Sequence, residues 1–434
     1  GVSHEVVLWV ALVYPLLGGS LLLTWGRLGD IAGRERIFTL GFPVTTIGLV
    51  LCAVAPNIVT LIIFRMIQVT GLSLLVSLAP AIASAALPVG ERGKALGIYF
   101  AIFGAGSLIG PLLGGFLIDH LSWQAIFYFQ LPVTVIGLVL AFSLLRRQPP
   151  AVAERGFDIR GAVILLVGLS SLILAVNQGR MMGWLSPFVL GLGVAALVLF
   201  SLFLVVERRT AQPLLDLRLF KNRVFASATS ASFLIFISMF IFMLVMPFYL
   251  MEGAGYSATT AGMVAMIYAG VPPLMFPLSG WLGDKLGPAL LCPLGLVIGS
   301  VGLFLVSGLG ADSSTADIVY RITVWSFGWG LFLIPNSSAI IGSVPQDRLG
   351  SASAMMTTAR QIGMALGSAL GMTLFASLKI SRSAQLVSEG MGQETVERMG
   401  VVAGLHGVIL VAMGTAILAL VFSLLMGKRP SRSG

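Results

Sequence analysis

Two stretches decide how this chain folds. One is Gly26-Arg27-Leu28-Gly29-Asp30-Ile31-Ala32-Gly33-Arg34-Glu35-Arg36; the other, 254 residues later, is Gly280-Trp281-Leu282-Gly283-Asp284-Lys285-Leu286-Gly287-Pro288-Ala289-Leu290. Both read G-x-L-G-D-x-x-G, and both follow a long apolar run. A second pair keeps similar spacing: Glu91-Arg92-Gly93 and Asp347-Arg348-Leu349-Gly350 each precede a helix rich in small residues. Such self-similarity marks two equivalent helical bundles in one chain, related as parallel repeats.

Working outward, the 434 residues are 57% hydrophobic and 10% charged, with a mean hydropathy of +1.00. Soluble domains carry about 25% charged residues, which excludes an ordinary globular protein. The apolar residues fall in thirteen runs near 7–25, 37–55, 58–83, 94–118, 123–145, 161–178, 185–206, 224–250, 259–282, 288–309, 316–343, 351–377 and 402–426. Each has the length a bilayer demands, about 20 residues. Each is expected to be a helix, because backbone facing lipid must satisfy its own hydrogen bonds. The fold class expected is therefore an all-α polytopic membrane protein.

Charge fixes the expected orientation. Nineteen Lys and Arg residues sit in alternate loops, around Arg27–Arg36, Arg92, Arg146–Arg160, Arg208–Arg223, Lys285, Arg348 and the Lys428–Arg432 tail; only Arg180, Lys379, Arg382 and Arg398 sit in the others. The richer set belongs in the cytoplasm, so the C-terminus is expected inside and Gly1 outside, in a plasma membrane of bacterial or archaeal type. The net charge of +9 reflects these loops and not a nucleic-acid surface. Cys52 and Cys292 lie inside apolar runs, the three histidines are scattered, and no Walker loop or nucleophile–base set occurs. No enzyme activity, metal or cofactor is expected.

Counting runs around the repeat gives the organisation. Two runs of the second bundle precede Gly280, but one precedes Gly26, and eight lie between the two loops where two adjacent six-helix bundles would place six. The expected domains are an N-terminal bundle at 1–147 lacking its first helix, a linker at 148–220 with two inserted, peripheral helices, and a C-terminal six-helix bundle with a short tail at 221–434. The full architecture would have fourteen helices.

The residues now resemble a known family. Gly26–Arg34 is similar to the loop signature G-x-L-A-D-R-x-G-R of the major facilitator superfamily, with Ile31 in place of its basic residue. Arg65-Met66-Ile67-Gln68-Val69-Thr70-Gly71 resembles its fourth-helix R-x-x-Q-G signature, with two extra residues before Gly. Gly106-Ser107-Leu108-Ile109-Gly110-Pro111-Leu112-Leu113-Gly114-Gly115 matches the fifth-helix G-x-x-x-G-P-x-x-G-G motif of its antiporters. Pro213–Phe220 and Ala359-Arg360-Gln361-Ile362-Gly363 look like the fourteen-helix drug/proton antiporter branch. The branch's Asp-bearing first-helix signature is absent, and Gln124 and Gln130 replace its usual Arg and Asn.

The resemblance implies that Asp30 and Asp284, with Arg34 and Arg36, latch the two bundles at the inner face when the pump opens outward. It also implies that Gly106, Gly110, Pro111, Gly114 and Gly115 form a hinge and seal. Small residues at four-residue spacing would permit close backbone approach in either case. Arg65 and Arg360 lie roughly 10–15 Å from the ends of their runs at 1.5 Å per residue. A charge so placed needs a partner: an acid on a further helix, an anionic substrate, backbone carbonyls or cavity water. Gln68 joins Arg65 as a candidate coupling element. Met243, Tyr249, Tyr268, Trp325, Trp329, Asn336 and Gln361 are candidates for a substrate cavity, since polarizable and aromatic side chains suit varied apolar ligands.

The function expected is proton-coupled export of amphipathic small molecules by alternating access, as a monomer in the bilayer. A lipid or anionic-metabolite exporter is the alternative, and a non-transporting scaffold or receptor the alternative of another class. Arg65 stays charged at physiological pH and cannot carry the proton. This chain is therefore expected not to catalyse proton-driven efflux, whereas a form with a first, acid-bearing helix added is. Efflux from proteoliposomes under a pH gradient, at both lengths, checks this; robust proton-driven efflux by the 434-residue form contradicts it.

Overall fold

The computed structural model describes residues 17–145, 158–210 and 217–427. Thirteen α-helices run through them: α1 Leu22–Ala32, α2 Arg34–Ala53, α3 Ile58–Ala85, α4 Arg92–His120, α5 Ala125–Leu144, α6 Ile159–Met182, α7 Pro187–Arg209, α8 Arg223–Phe248, α9 Ala258–Leu286, α10 Pro288–Val306, α11 Thr315–Gly342, α12 Leu349–Ser388 and α13 Gln393–Leu424. Among the described residues eleven spans are long and apolar enough to cross a membrane, against the thirteen runs read from the sequence. The first part of the run expected at 7–25 lies outside the described residues.

Local chemistry sets the helix ends. The Asn57 side chain accepts from Thr60 N and closes a capping box at α3; Ser257 caps α9, Asn222 caps α8 and Asp158 caps α6. Each such oxygen satisfies an amide the first turn leaves without a helical partner. Gly33 and Gly287, at φ 97° and 84°, stop α1 and α9 in a conformation that side chains with a Cβ disfavour. After Pro247 the end of α8 widens into a π-turn at Tyr249–Gly253.

Two helices outrun their apolar stretches. The 40 residues of α12 and the 32 of α13 are longer than the runs expected at 351–377 and 402–426. Helix α1 likewise continues to Ala32, which places Asp30 inside a helical turn and not in a loop.

The chain forms two compact units. The first comprises Gly1–Ala86, Ile109–Lys221 and Ile341–Gln361; the second comprises Leu87–Leu108, Asn222–Ile340 and Ile362–Gly434. The start of α12 therefore belongs to the first unit and the start of α4 to the second, and the chain passes from the first unit to the second at Lys221–Asn222. The two inserted helices belong to the first unit and pack on each other, Gly168 of α6 facing Leu199 of α7.

Sequence reading expects α6 and α7 at the periphery; α6 packs by one face and leaves Ile159, Val163 and Val167 exposed on the other. Leu165, Leu169, Ile173 and Val176 are buried on one face, Ser170 Oγ lies 3.3 Å from Ser20 Oγ, and the Ile173 side chain reaches Gly19. That spacing of four, four and three is a stripe for packing on another helix. Helix α7 keeps exposed apolar side chains such as Leu190, Val194, Leu197 and Val198.

The internal repeat extends from the loops into the packing. In the first unit α2 and α3 touch backbone to backbone: a Cβ added at Gly48 would sit 2.7 Å from Gln68 Cβ, and Gly71 lies against Thr45. In the second unit α10 and α11 do the same, Gly302 against Trp325 Cβ at 2.7 Å and Gly328 against Gly299. The offset is 254 residues from α2 to α10 and 257 from α3 to α11. Where lipid is as apolar as the side chains, close contact of this kind carries helix association.

Overpacking such a contact costs about 1–3 kcal/mol. Gly302→Leu is therefore expected to lower the melting temperature of the purified protein, while Gly262→Leu, at a site that opens on free space, leaves it within error. Thermal unfolding in detergent measures both; equal melting temperatures would contradict the packing.

Candidate functional site

Asp30 is 1% exposed and sits in the last turn of α1. Its Oδ1 accepts from Gly350 N (2.8 Å) and from Arg34 Nε (3.0 Å); its Oδ2 accepts from Ser351 N and Ser351 Oγ, both at 2.7 Å. Gly350 and Ser351 open α12, whose first amides have no helical acceptor. A carboxylate there meets the positive end of the helix dipole as well. Arg34 reaches Asp30 because Gly33 turns the chain, and its Nη2 donates to the Gln346 carbonyl. Glycine is required at both faces of the approach: a Cβ on Gly350 would lie 2.5 Å from Asp30 Oδ1 and 2.6 Å from the Gly26 carbonyl.

The second unit repeats the arrangement. Asp284, in the last turn of α9, accepts from Gly93 N through Oδ1 and from Lys94 N through Oδ2, both at 2.8 Å. Gly93 and Lys94 open α4, and a Cβ on Gly93 would lie 2.5 Å from the Gly280 carbonyl. Pro288 stands where the first unit has Arg34, and Lys94 where it has Ser351. Arg36 is exposed and does not join the first cap. The cap partners Gly93, Lys94, Gly350 and Ser351 are functional candidates that sequence reading missed. Their signal was present in the repeated Glu91–Gly93 and Asp347–Gly350 pair, whose register against the aspartates is visible only in three dimensions.

Arg65 and Gln68 do come together. Arg65 Nη1 donates to Gln68 Oε1 at 3.0 Å, and the guanidinium lies over the Phe127 ring, 5.5 Å from its centre. An amide acceptor and an aromatic face are a fitting surround for a cation in an apolar span. Arg360, eleven residues into α12, is 6% exposed. Gln361 beside it lines a small cleft with Gly18, Leu22, Val69 and Ser73, of about 30 Å³, enough for a water. Trp25 Nε1 donates to Ser73 Oγ there at 2.7 Å.

The proposed cavity residues divide. Met243 is exposed and Tyr268 half-buried, its ring edge-on to Phe242 at 5.7 Å. Trp325 stacks on Phe242 at 3.9 Å and Trp329 meets Phe236 at 5.0 Å. Both tryptophans are buried around a gap of only about 10 Å³, so they fill the core of the second unit.

Tyr249 and Asn336 depart from the cavity reading. Both are fully buried; Tyr249 donates its hydroxyl to the Gly310 carbonyl at 2.9 Å and Asn336 its amide to the Ala228 carbonyl at 3.1 Å. A buried polar atom takes whatever acceptor the core offers, and here these are backbone carbonyls of neighbouring segments. A Cβ at Gly106, Gly110 or Gly114 would meet nothing within 4 Å among the described residues. The surroundings of Pro111 and Gly115 lie outside what is described.

Comparison with known proteins completes the picture. The family model of the Major Facilitator Superfamily matches residues 1–368. The chain is 31% identical over 375 residues to the riboflavin transporter RibZ of Clostridioides difficile, covering 86% of this chain and 81% of that one. It is 30% identical over 379 residues to the multidrug resistance protein Stp of Mycobacterium tuberculosis, covering 87% and 70%. Among solved structures, the human organic anion transporter TETRAN superposes with a TM-score of 0.63 over 96% of this chain and 83% of that one at 16% identity. The proton:xylose symporter XylE superposes with a TM-score of 0.62 over 95% and 83% at 15% identity. Paired carboxylate caps, glycine-packed repeat helices and these matches together lead to one statement: the chain is a polytopic membrane transporter and belongs to the major facilitator superfamily.

Proposed function

We propose that this transporter exports amphipathic small molecules by secondary active transport with alternating access, from a cytoplasmic membrane with its C-terminus inside. The observation that carries the reading is the pair of carboxylate helix caps. Asp30 ties the start of α12, and Asp284 the start of α4; each long helix begins in one compact unit and continues in the other. Making and breaking the caps is a discrete two-state event of the kind alternating access needs. The antiporter-type run Gly106–Gly115 and the multidrug resistance relatives support export and a broad substrate range.

A second substrate class has support of its own. A relative is named for riboflavin transport, and Arg360 is a buried cation on a membrane helix. Export of a polar or anionic metabolite is therefore the second reading, with Arg360 as the group that recognises it. Amphipathic cations and anionic metabolites, loaded separately into proteoliposomes, distinguish the two: Arg360→Gln is expected to abolish efflux of an anion and to leave efflux of a cation largely intact. The opposite selectivity would remove the second reading.

Asp30→Asn keeps the shape of the cap and removes its charge. Hydrogen bonds to a charged group contribute about 1.5–3 kcal/mol, so the variant is expected to transport at least about tenfold more slowly. Membrane insertion stays normal, because orientation follows Lys and Arg. Transport rate and surface labelling measure the two separately; wild-type transport by Asp30→Asn would reduce the cap to a fixed structural contact.

A further inference from the structure

A second polar centre lies in the second unit, at the end of its helices opposite to Asp284. Helix α9 runs from Ala258 at that end to Asp284 at the other, and the loops at 253–257, 307–314 and 389–392 all belong to the Ala258 end. Here a cavity of about 640 Å³ opens between the 310–312 loop, the last turns of α12 and the first turns of α13. Arg382, Arg398 and His406 line it together with Asp312, Glu394 and Met399.

The gathering of cations at this end is unusual on charge grounds. By the loop-charge reading this is the side poor in Lys and Arg, and only four such residues occur in its loops. Three of them, Lys379, Arg382 and Arg398, fall around this one region. Lys379 Nζ is paired with Glu252 at 2.6 Å. Arg398 is held in place by its Nε on the Gly253 carbonyl (3.1 Å) and its Nη2 on the Ala311 carbonyl (2.7 Å) and on Asp312 Oδ1 (3.1 Å). The His406 ring donates from Nε2 to the Leu309 carbonyl at 2.6 Å.

These contacts make a rigid, charged wall. Guanidinium groups carry five N–H donors, and Arg398 commits only its Nε and Nη2, which leaves its Nη1 edge for a ligand. Arg382 uses Nη1 on Gln385 Oε1 at 2.7 Å and keeps its other donors. Asp312, the carboxylate that offsets Arg398, is 92% exposed at its side chain, so solvent and salt weaken its hold on the guanidinium. Apolar side chains, Met399 and Val402, complete the lining and give a surface for hydrocarbon next to the cations.

We propose that this cavity binds a phosphate oxyanion, either the headgroup of an anionic lipid or a free phosphate, with Arg382 and Arg398 as its donors. Planar guanidinium forks match phosphate geometry in two parallel bonds, and the preorganisation of Arg398 spares the ligand the cost of ordering it. Glu394 lines the same space and opposes the anion.

Binding to the full chain in detergent tests this without any transport assay. Native mass spectrometry would count adducts with short-chain phosphatidylglycerol, with inorganic phosphate and with dioctanoylglycerol, which lacks phosphate. Phosphatidylglycerol is expected to bind, dioctanoylglycerol not to. Arg382→Gln should weaken binding about tenfold, the scale of one charge-assisted contact, and Glu394→Gln should tighten it. Binding of inorganic phosphate that competes with the lipid makes the free anion sufficient; binding of the lipid alone makes the headgroup in its bilayer the ligand. Absence of binding by both phosphate probes, or binding that neither substitution changes, overturns the proposal. Both substituted side chains are partly or fully exposed, and a thermal unfolding curve matching the parent shows that each variant is folded.

Discussion

A long helix begins with amides that have nothing within the helix to bind, and at a membrane surface the number of groups able to satisfy them is small. Asp30 meets this need for α12 by accepting two of its first amides and the Ser351 hydroxyl, while Arg34 neutralises the carboxylate from the other side. The carboxylate can reach those amides only because Gly26 and Gly350 let two backbones approach without a Cβ between them. Burial strengthens each of these bonds and makes a cap lacking its carboxylate expensive, since a buried donor without an acceptor keeps its full desolvation cost. The cap is therefore stable when made and costly when half-made, which are the properties of a switch and not of a hinge.

The same physics acts twice, in surroundings that differ. Asp284 receives two amides, with Pro288 where the first unit has Arg34, and it is partly exposed where Asp30 is buried. The second cap is the more exposed of the two. Around each cap the supporting helix pairs, α2 with α3 and α10 with α11, keep the same glycine-to-backbone contacts. The two units share the packing that holds the aspartates in place, while the residues around the carboxylates differ.

Much of this was legible in the sequence for physical reasons. Apolar length announces a membrane helix, and most spans agreed with the helices to within a few residues; α12 and the start of α13 ran further because polar, charged turns extend them beyond the apolar stretch. The aspartates were legible because their motif recurs. Their partners were not, since Gly350 and Gly93 are small residues among many and only the fold brings them to a carboxylate. Tyr249 and Asn336 misled for a related reason: a polar side chain in an apolar span needs a partner, and sequence cannot tell a ligand from a backbone carbonyl. Helix α6 was expected at the periphery because two inserted helices lie outside the repeat. Its stripe of Leu165, Leu169, Ile173 and Val176 marks the face by which it packs, which an overall apolar composition obscured.

The central claim is that the Asp30 cap opens and closes as the protein works. A cysteine in place of Ala352, which is fully buried beside the cap, reports this through its rate of reaction with a membrane-impermeant maleimide in inside-out vesicles; the native Cys52 and Cys292 are buried and are replaced by Ser in the parent to remove background. The account predicts slow labelling in that parent and labelling at least about tenfold faster with Asp30→Asn added, the scale of a lost charge-assisted cap. Equal labelling rates with and without the Asp30 carboxylate would contradict it.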